Sequence, residues 1–276
     1  MPELPEVECL TRAVRSVILG KRLQWARFYR ADLRWPIPVE EFQERIVGHT
    51  VVNVDRRSKY MVITTDSGHA IIHLGMSGNI LLSDKGEPEW KHTHATWAVE
   101  TSEGMRYLHF VDPRRFGSVL CCAVDQLSEH KLMRDLGPEP LLSNDLAEHL
   151  WAKSRNRTAP IKTFLMDAHN VVGVGNIYAN EALFRARIKP TRKAGSVKRG
   201  EWDLLASAVC EVLSAAIQAG GTSFRDYRHV DGGSGYFEVA LQVYGREGEP
   251  CSLCGGAIAL KKIAGRATYF CKTCQS

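Results

Sequence analysis

The hydrophobic pattern changes period twice along the chain. Over residues 3–19, Val7, Leu10, Val14, Val17 and Ile18 recur at helical spacing and Gly20 follows, which predicts one amphipathic helix. From Thr50 the pattern becomes short β-rich runs at 51–54, 60–63, 70–74, 95–99, 107–110 and 118–120. Turn residues such as Asp66-Ser67-Gly68 and Ser102-Glu103-Gly104 separate them. Strands this short and closely spaced predict a β-sandwich. Gly137-Pro138-Glu139-Pro140 reads as a linker, and beyond it the helical period returns at 144–153, 176–185 and 196–219. Gly220-Gly221 closes the last helix, and Gly232-Gly233-Ser234-Gly235 is expected to be a flexible loop. No internal repeat or low-complexity tract is visible.

Composition narrows the class. The 276 residues suffice for two domains of ordinary size, each with its own core. Hydrophobic residues are 44% and charged residues 24%, the balance of a globular protein rather than a disordered one. No apolar run approaches the ~20 residues of a membrane span. Met1 to Glu6 carries two acids and no apolar stretch, so no signal peptide is expected and the cytoplasm is the expected compartment. Lys+Arg 36 against Asp+Glu 31 gives a net charge of +5. Basic residues concentrate in 160–200 (Lys162, Arg185, Arg187, Lys189, Arg192, Lys193, Lys198, Arg199) and in the last 26 residues, which hold no acid. That distribution fits either a solvated face or a nucleic-acid footing.

Four motifs carry chemistry. Cys251-x-x-Cys254 and Cys271-x-x-Cys274, sixteen residues apart, have Cys₄ zinc spacing, and a filled set of four thiolates makes the expected single Zn²⁺ structural. Cys9, Cys121, Cys122 and Cys210 sit in apolar or helical surroundings and read as plain buried thiols. Arg266 lies between the cysteine pairs, where a hairpin would present it at its tip, either to phosphate or to solvent. Gly173-Val174-Gly175-Asn176 opens a helix and suits either close approach to an anion or an ordinary interhelical turn. Removal of Met1 would leave the Pro2 amine beside Glu3 and Glu6. An α-amino group titrates near 7.7–8.0 against about 10.4 for lysine, so it is the better nucleophile at neutral pH unless it is merely an exposed terminus. The fourth set is scattered over the β segments: Lys59 after Arg56-Arg57-Ser58, the glycine turn His73-Leu74-Gly75-Met76-Ser77-Gly78, His92-Thr93-His94, and Asp112-Pro113-Arg114-Arg115-Phe116-Gly117. The histidine pair lacks a nearby carboxylate, which favours phosphate contact or simple exposure over metal. The last turn carries two cations and a ring, suited to entering a base stack or to a salt-bridged turn.

Taken in order, these residues resemble formamidopyrimidine-DNA glycosylase. The likeness runs through Pro2-Glu3-Leu4-Pro5-Glu6-Val7-Glu8, Lys59-Tyr60, the 73–78 and 112–117 turns, Gly173–Tyr178, Gly235-Tyr236-Phe237 and the cysteine tail. It implies an α+β fold: a catalytic N-terminal β-sandwich flanked by helices at 1–134, a linker at 135–145, a helix-two-turn-helix domain at 146–240 and a zinc-finger hairpin at 241–276. It also implies a base-excision enzyme acting on double-stranded DNA with oxidised purines or abasic sites; because one lesion needs one site, a monomer is expected. Pro2 would be the nucleophile, Glu3 the acid, Lys59 a proton-transfer and phosphate group, and Arg266 a phosphate contact assisting the last elimination. Met76, Arg114 and Phe116 would fill the gap left by an everted nucleotide, while His92, Arg115, Arg157 and Asn176 would contact DNA. The 222–236 segment would close over the everted base. Thr93 stands where many relatives carry Asp, which leaves the local hydrogen bonding to be found. Two alternatives accompany this reading. One is an endonuclease VIII-type enzyme for oxidised pyrimidines, disfavoured by Leu4 and the Arg114-Arg115-Phe116 turn; the other is a catalytically silent zinc-finger DNA-binding protein.

Overall fold

The computed structural model describes residues 2–221 and 241–276. The 232–235 loop and the 222–236 closure expected above lie outside the described residues. The chain divides into two compact units, one running to Arg134 and including Gly220 and Gly221, the other comprising Asp135–Ala219 and residues from 241 onward.

In chain order the first unit holds α1 (Leu4–Ile18), β1 (Leu23–Phe28), α2 (Val39–Arg45), β2 (Val51–Arg57), β3 (Tyr60–Thr65) and β4 (Gly68–His73). It continues with β5 (Asn79–Ser83), β6 (Thr93–Thr101), β7 (Gly104–Val111) and β8 (Ser118–Ala123). Two antiparallel four-stranded sheets, β1-β6-β7-β5 and β2-β3-β4-β8, form the expected sandwich. Val54, Met61, Ile63, Ile72 and Val119 from one sheet meet Leu23, Ile80, Trp97, Leu108 and Phe110 from the other in one core. The apolar stripe of α1 (Val7, Leu10, Val14, Ile18) joins that core, at roughly 1.5–3 kcal/mol per buried side chain. Its direction is fixed by two contacts with β2: Arg15 Nε donates to the Val54 carbonyl at 2.6 Å and Arg56 Nε donates to Glu8 at 2.9 Å. The helix thus runs antiparallel to β2, with its N-terminus toward the β2–β3 turn.

Three of these elements were not expected. β1 is Leu-Gln-Trp-Ala-Arg-Phe, a sheet-edge strand without clean alternation. β5 follows directly on the Gly78 turn, and α2 has seven residues of which only Phe42 is fully buried. Phe42 matters nonetheless, because it stacks on Trp97 at 5.9 Å and meets Phe28 edge-on at 5.1 Å.

The second unit holds α3 (Leu146–Ser154), α4 (Ile161–Leu165), α5 (Asn176–Arg185), α6 (Arg199–Gln218) and the hairpin β9 (Ile258–Ile263) and β10 (Arg266–Cys271). Helix α6 starts three residues later than its periodicity suggested. Ala194–Ser196 is a 3₁₀ turn, and Glu201 caps the true start by accepting the Lys198 N–H at 2.8 Å. The Gly137–Pro140 segment is docked rather than loose: the Gly137 N–H donates to Ala168, and Pro138 accepts from the Val172 N–H. Within this unit three buried polar residues fasten the hairpin segment to the helices. Lys162, 1% exposed, donates from Nζ to the Ala267 carbonyl and to Thr268 Oγ1, both at 2.7 Å. Asn180 Oδ1 accepts the Tyr269 N–H at 2.8 Å. The Glu181 carboxylate accepts three backbone N–H groups, from Gln242 (2.8 Å), Val243 (3.0 Å) and Tyr244 (2.9 Å).

A carboxylate holding three amides is a strong tether. Glu181→Gln turns an amide NH₂ toward donors, and it should cost about 2 kcal/mol, a fall of roughly 4–8 °C in melting temperature. Calorimetry checks this; an unchanged melting temperature would remove Glu181 from the tether.

Candidate nucleic-acid interface

Strand register gathers the candidate residues of the first unit. Tyr60 pairs with His73, and His73 with Ser118. The turn before Tyr60, the turn after His73 and the turn before Ser118 therefore leave the same end of one sheet. Those turns carry Lys59, Met76, and Arg114, Arg115 and Phe116 respectively. The head of α1 faces the same end. There Pro2 is half-buried, and Glu3 and Glu6 are 2% and 1% exposed. The Glu3 N–H donates to Glu6 Oε2 at 2.8 Å in a capping-box pair, and the amide dipoles of the first turn favour negative charge at that point.

The fully buried carboxylate of Asp112 ties the turns together. Its Oδ1 accepts from Ser77 Oγ at 2.8 Å and from the Arg114 N–H at 3.3 Å, and its Oδ2 accepts the Gly117 N–H at 2.8 Å. Ser77 Oγ also accepts the Arg114 N–H at 3.2 Å. The Met76 turn and the Arg114–Phe116 turn are thus clipped to one another. Gly75, at φ +65°, is required by this closeness: a Cβ there would stand 2.4 Å from the Phe116 carbonyl carbon and the Gly117 nitrogen. On this support Phe116 is 46% exposed and Met76 37% exposed, and the Arg114 guanidinium lies 5.0 Å over the Phe116 ring. Two large apolar groups held outward on rigid turns suit insertion into stacked bases.

The histidines divide by role. His94 is buried and its Nε2 donates to the Asp112 carbonyl at 2.8 Å, so it belongs to the support. His92 is exposed at φ 68°, and its carbonyl accepts the Asp112 N–H at 3.1 Å. Thr93 closes that loop by donating to the Trp90 carbonyl at 2.7 Å, which settles its hydrogen bonding. Burial, with the Arg34 and Lys59 cations nearby, pushes His73 down to about 4. The Gly75 N–H donates to its Nδ1 at 3.0 Å, which fixes the neutral tautomer.

In the second unit, Arg157 and Arg266 line one cavity of about 430 Å³, with Lys162, Asp167 and Asn170 also in its wall. Arg266 follows Ala264 (φ 45°) and Gly265 (φ 75°), a two-residue hairpin turn, so it stands at the tip as its spacing suggested. Asn176 is the first residue of α5. Its buried Oδ1 makes no hydrogen bond, which leaves a side-chain amide uncommitted behind the Gly173-Val174-Gly175 turn. Of the six non-glycine residues in the left-handed region among the described residues, Ser58, His92, Arg115, Asn156 and Ala264 each are or adjoin a candidate contact residue or its turn, and Arg187 is the exception.

The four zinc-type cysteines offer sulfurs within 4.8 Å of one another. Cys251 and Cys274 are 3.9 Å apart and Cys254 and Cys271 3.5 Å, close to the roughly 3.8 Å edge of a tetrahedron with 2.3 Å Zn–S bonds. Backbone N–H groups of Leu253 and Cys274 point at the Cys251 and Cys271 sulfurs, as suits thiolates. Burial, then nearby Glu6, pushes the Cys9 thiol up to about 11, and burial first raises those of Cys121, Cys122 and Cys210, so none is a ready nucleophile.

Family models match the chain in three stretches. They are the formamidopyrimidine-DNA glycosylase N-terminal domain over residues 1–119, its H2TH domain over 136–228, and a zinc finger found in FPG and IleRS over 248–276. The chain belongs to the formamidopyrimidine-DNA glycosylase family. Relatives of that name from Acidithiobacillus ferrooxidans and Stenotrophomonas maltophilia are each 46% identical over 275 residues, covering 100% of both chains. Among solved structures, Lactococcus lactis Fpg in complex with abasic-site DNA matches at TM-score 0.88 and 33% identity over 99% of each chain. The Thermus thermophilus MutM (FPG) protein matches at 0.86 and 37%, over 99% and 98%. A point variant of the Lactococcus protein with DNA containing Fapy-dG reaches 0.90 at 32% identity, with both chains fully covered.

This member of the glycosylase family holds one structural zinc on Cys251, Cys254, Cys271 and Cys274. Cys251 and Cys271 pack with Phe184 of α5 and with Ile258, so the metal secures the base of the hairpin that carries Arg266. The sequence marked Asp112 and Ser77 only as members of their turns and Lys162 only as one of a basic cluster, and it did not mark Arg34 at all. Asp112 had a local signal, an acid opening a proline turn. Arg34 had none: it is an exposed residue whose backbone N–H donates to the Gly117 carbonyl at 3.1 Å.

Stripping zinc with a strong chelator should free the hairpin and lower affinity for abasic-site duplex by at least about tenfold in fluorescence anisotropy. Unchanged affinity in metal-free protein would detach Arg266 from DNA binding. His73 predicts a pH effect. Its folded value lies below its ordinary 6.5, so the unfolded chain takes up a proton that the native state refuses. Stability should then decline by up to roughly 3 kcal/mol as pH falls from about 6.5 through about 4. His73→Gln should flatten that decline in urea titrations at several pH values; an unaltered slope would assign it to other groups.

Proposed function

We propose that this chain removes oxidised purines, 8-oxoguanine and ring-opened formamidopyrimidines, from double-stranded DNA and then cleaves the abasic strand. The observation that carries the reading is the convergence, at one end of one sheet, of the Lys59, Met76 and Arg114–Phe116 turns and the head of α1. The family names and the complexes of relatives with damaged DNA support it.

With Met1 removed, the Pro2 nitrogen attacks C1′ of the damaged nucleotide. The C1′–N glycosidic bond breaks, and the base leaves with the electron pair and takes a proton. Glu3 protonates the ring oxygen O4′, the sugar opens, and an iminium links Pro2 to C1′. Lys59 assists proton transfer and holds the phosphate beside the lesion. The iminium acidifies the C2′ proton; its loss expels the 3′ phosphate, and a second elimination, assisted by Arg266, expels the 5′ phosphate. Met76, Arg114 and Phe116 fill the gap left by the everted nucleotide, with Arg114 facing the orphaned cytosine. His92, Arg115, Arg157 and Asn176 hold backbone phosphates. The enzyme works as a monomer in the cytoplasm of a bacterium, where its substrate lies.

Intact-mass spectrometry before and after borohydride, with 8-oxoguanine duplex, tests this. The expected result is a chain lacking Met1 that gains one covalent DNA adduct, with 8-oxoguanine favoured about tenfold or more over thymine glycol. Protein whose terminal amine is blocked should neither trap nor cut. Native-speed cutting by blocked protein overturns the mechanism, and preference for thymine glycol overturns the substrate class.

A further inference from the structure

We infer that Glu8 and Arg56 are positioning residues that fix the Lys59 turn against the helix carrying Pro2 and Glu3. This rests on the role proposed for Lys59. Arg56 is the last residue but one of β2, and its side chain is only 6% exposed. Its Nε donates to Glu8 Oε2 at 2.9 Å, and a second guanidinium nitrogen donates to the Ser58 carbonyl at 2.9 Å. The Ser58 carbonyl belongs to the peptide unit that begins Lys59, so one guanidinium fork sets the plane from which the lysine departs. Ser58 is buried and left-handed at φ 58°, a conformation that a non-glycine residue keeps only when its surroundings hold it. Glu8 lies on the second turn of α1 and is anchored further by Arg12 Nε at 2.7 Å. Burial works against its ionisation, but the hydrogen bonds from Arg12 and Arg56 outweigh it and hold Glu8 below the usual carboxylate range.

The link joins the two places where the proposed chemistry needs registry: the helix head with the amine and acid, and the turn with the ammonium. A buried ion pair is seldom the most stable filling for such a space, since apolar groups of similar volume often do as well. Its planar two-pronged geometry is what apolar groups cannot supply, nor can lysine, a point charge on a flexible stem.

The test is a double-mutant cycle on the full-length enzyme with Glu8→Gln, Arg56→Lys and Lys59→Ala, scored separately on 8-oxoguanine excision and on cleavage of a pre-formed abasic site. Glu8→Gln and Arg56→Lys should each slow excision by about tenfold, while abasic-site cleavage and affinity for an uncleavable abasic analogue each change by less than about threefold. In the Lys59→Ala background, both should change excision by less than about twofold, because the group they position is gone. Full additivity with Lys59→Ala overturns the inference while leaving the role of Lys59 intact. Equal losses in both reactions, tracking a lower melting temperature, also overturn it, since they mark a purely structural pair. If Lys59→Ala alone leaves excision unchanged, the role of Lys59 fails and the inference fails with it.

Discussion

The carboxylate of Asp112 is fully buried, and a buried polar group of that kind is tolerated only when it is hydrogen-bonded. Its partners are turn amides and the Ser77 hydroxyl rather than a cation. Those hydrogen bonds therefore exist only while the 73–78 and 112–117 turns are both in place. Met76, Arg114 and Phe116 inherit a common geometry from this requirement. His94 extends it by bonding the Asp112 carbonyl, and through His92 the same network reaches a third loop. Apolar side chains left outward in water would ordinarily fold back onto the surface; here the backbone beneath Phe116 and Met76 has little freedom to let them.

The second unit solves a similar problem by different means. A two-stranded hairpin is marginally stable alone. This one is pinned at its base by zinc thiolates, along β10 by Lys162 and Asn180, and at its entry by Glu181. The tip, with Ala264, Gly265 and Arg266, lies beyond these attachments. The result is an arginine delivered on a stiff arm into the cavity that Arg157 also lines.

Local chemistry made much of this readable beforehand. The stripe of α1, the paired Cys-x-x-Cys turns and the glycine- or proline-bearing turns each announce themselves within a few residues, because capping, chelation and φ restrictions act at short range. What stayed hidden depends on partners far apart in sequence. Ser77 and Asp112 are 35 residues apart, and Lys162 and Thr268 are 106 apart. Neither member of such a pair carries a mark of its destination. β1 and α2 escaped for another reason: as edge or covering elements they bury few side chains, so their periodicity is diluted by Gln24, Arg27, Glu40 and Glu41. Arg157, named through the family resemblance alone, lines the same cavity as Arg266.

The left-handed residues at Ser58, His92, Arg115, Asn156 and Ala264 bear on how this protein can be engineered. Glycine would relieve up to about 1 kcal/mol of torsional strain there, least at Asn156 and His92, and a search for heat-resistant variants would be drawn to those positions. Each relaxation would also widen the range of shapes open to a loop before DNA arrives, and ordering it again would subtract from affinity. Robustness to temperature and readiness for substrate therefore pull in opposite directions at the same few positions.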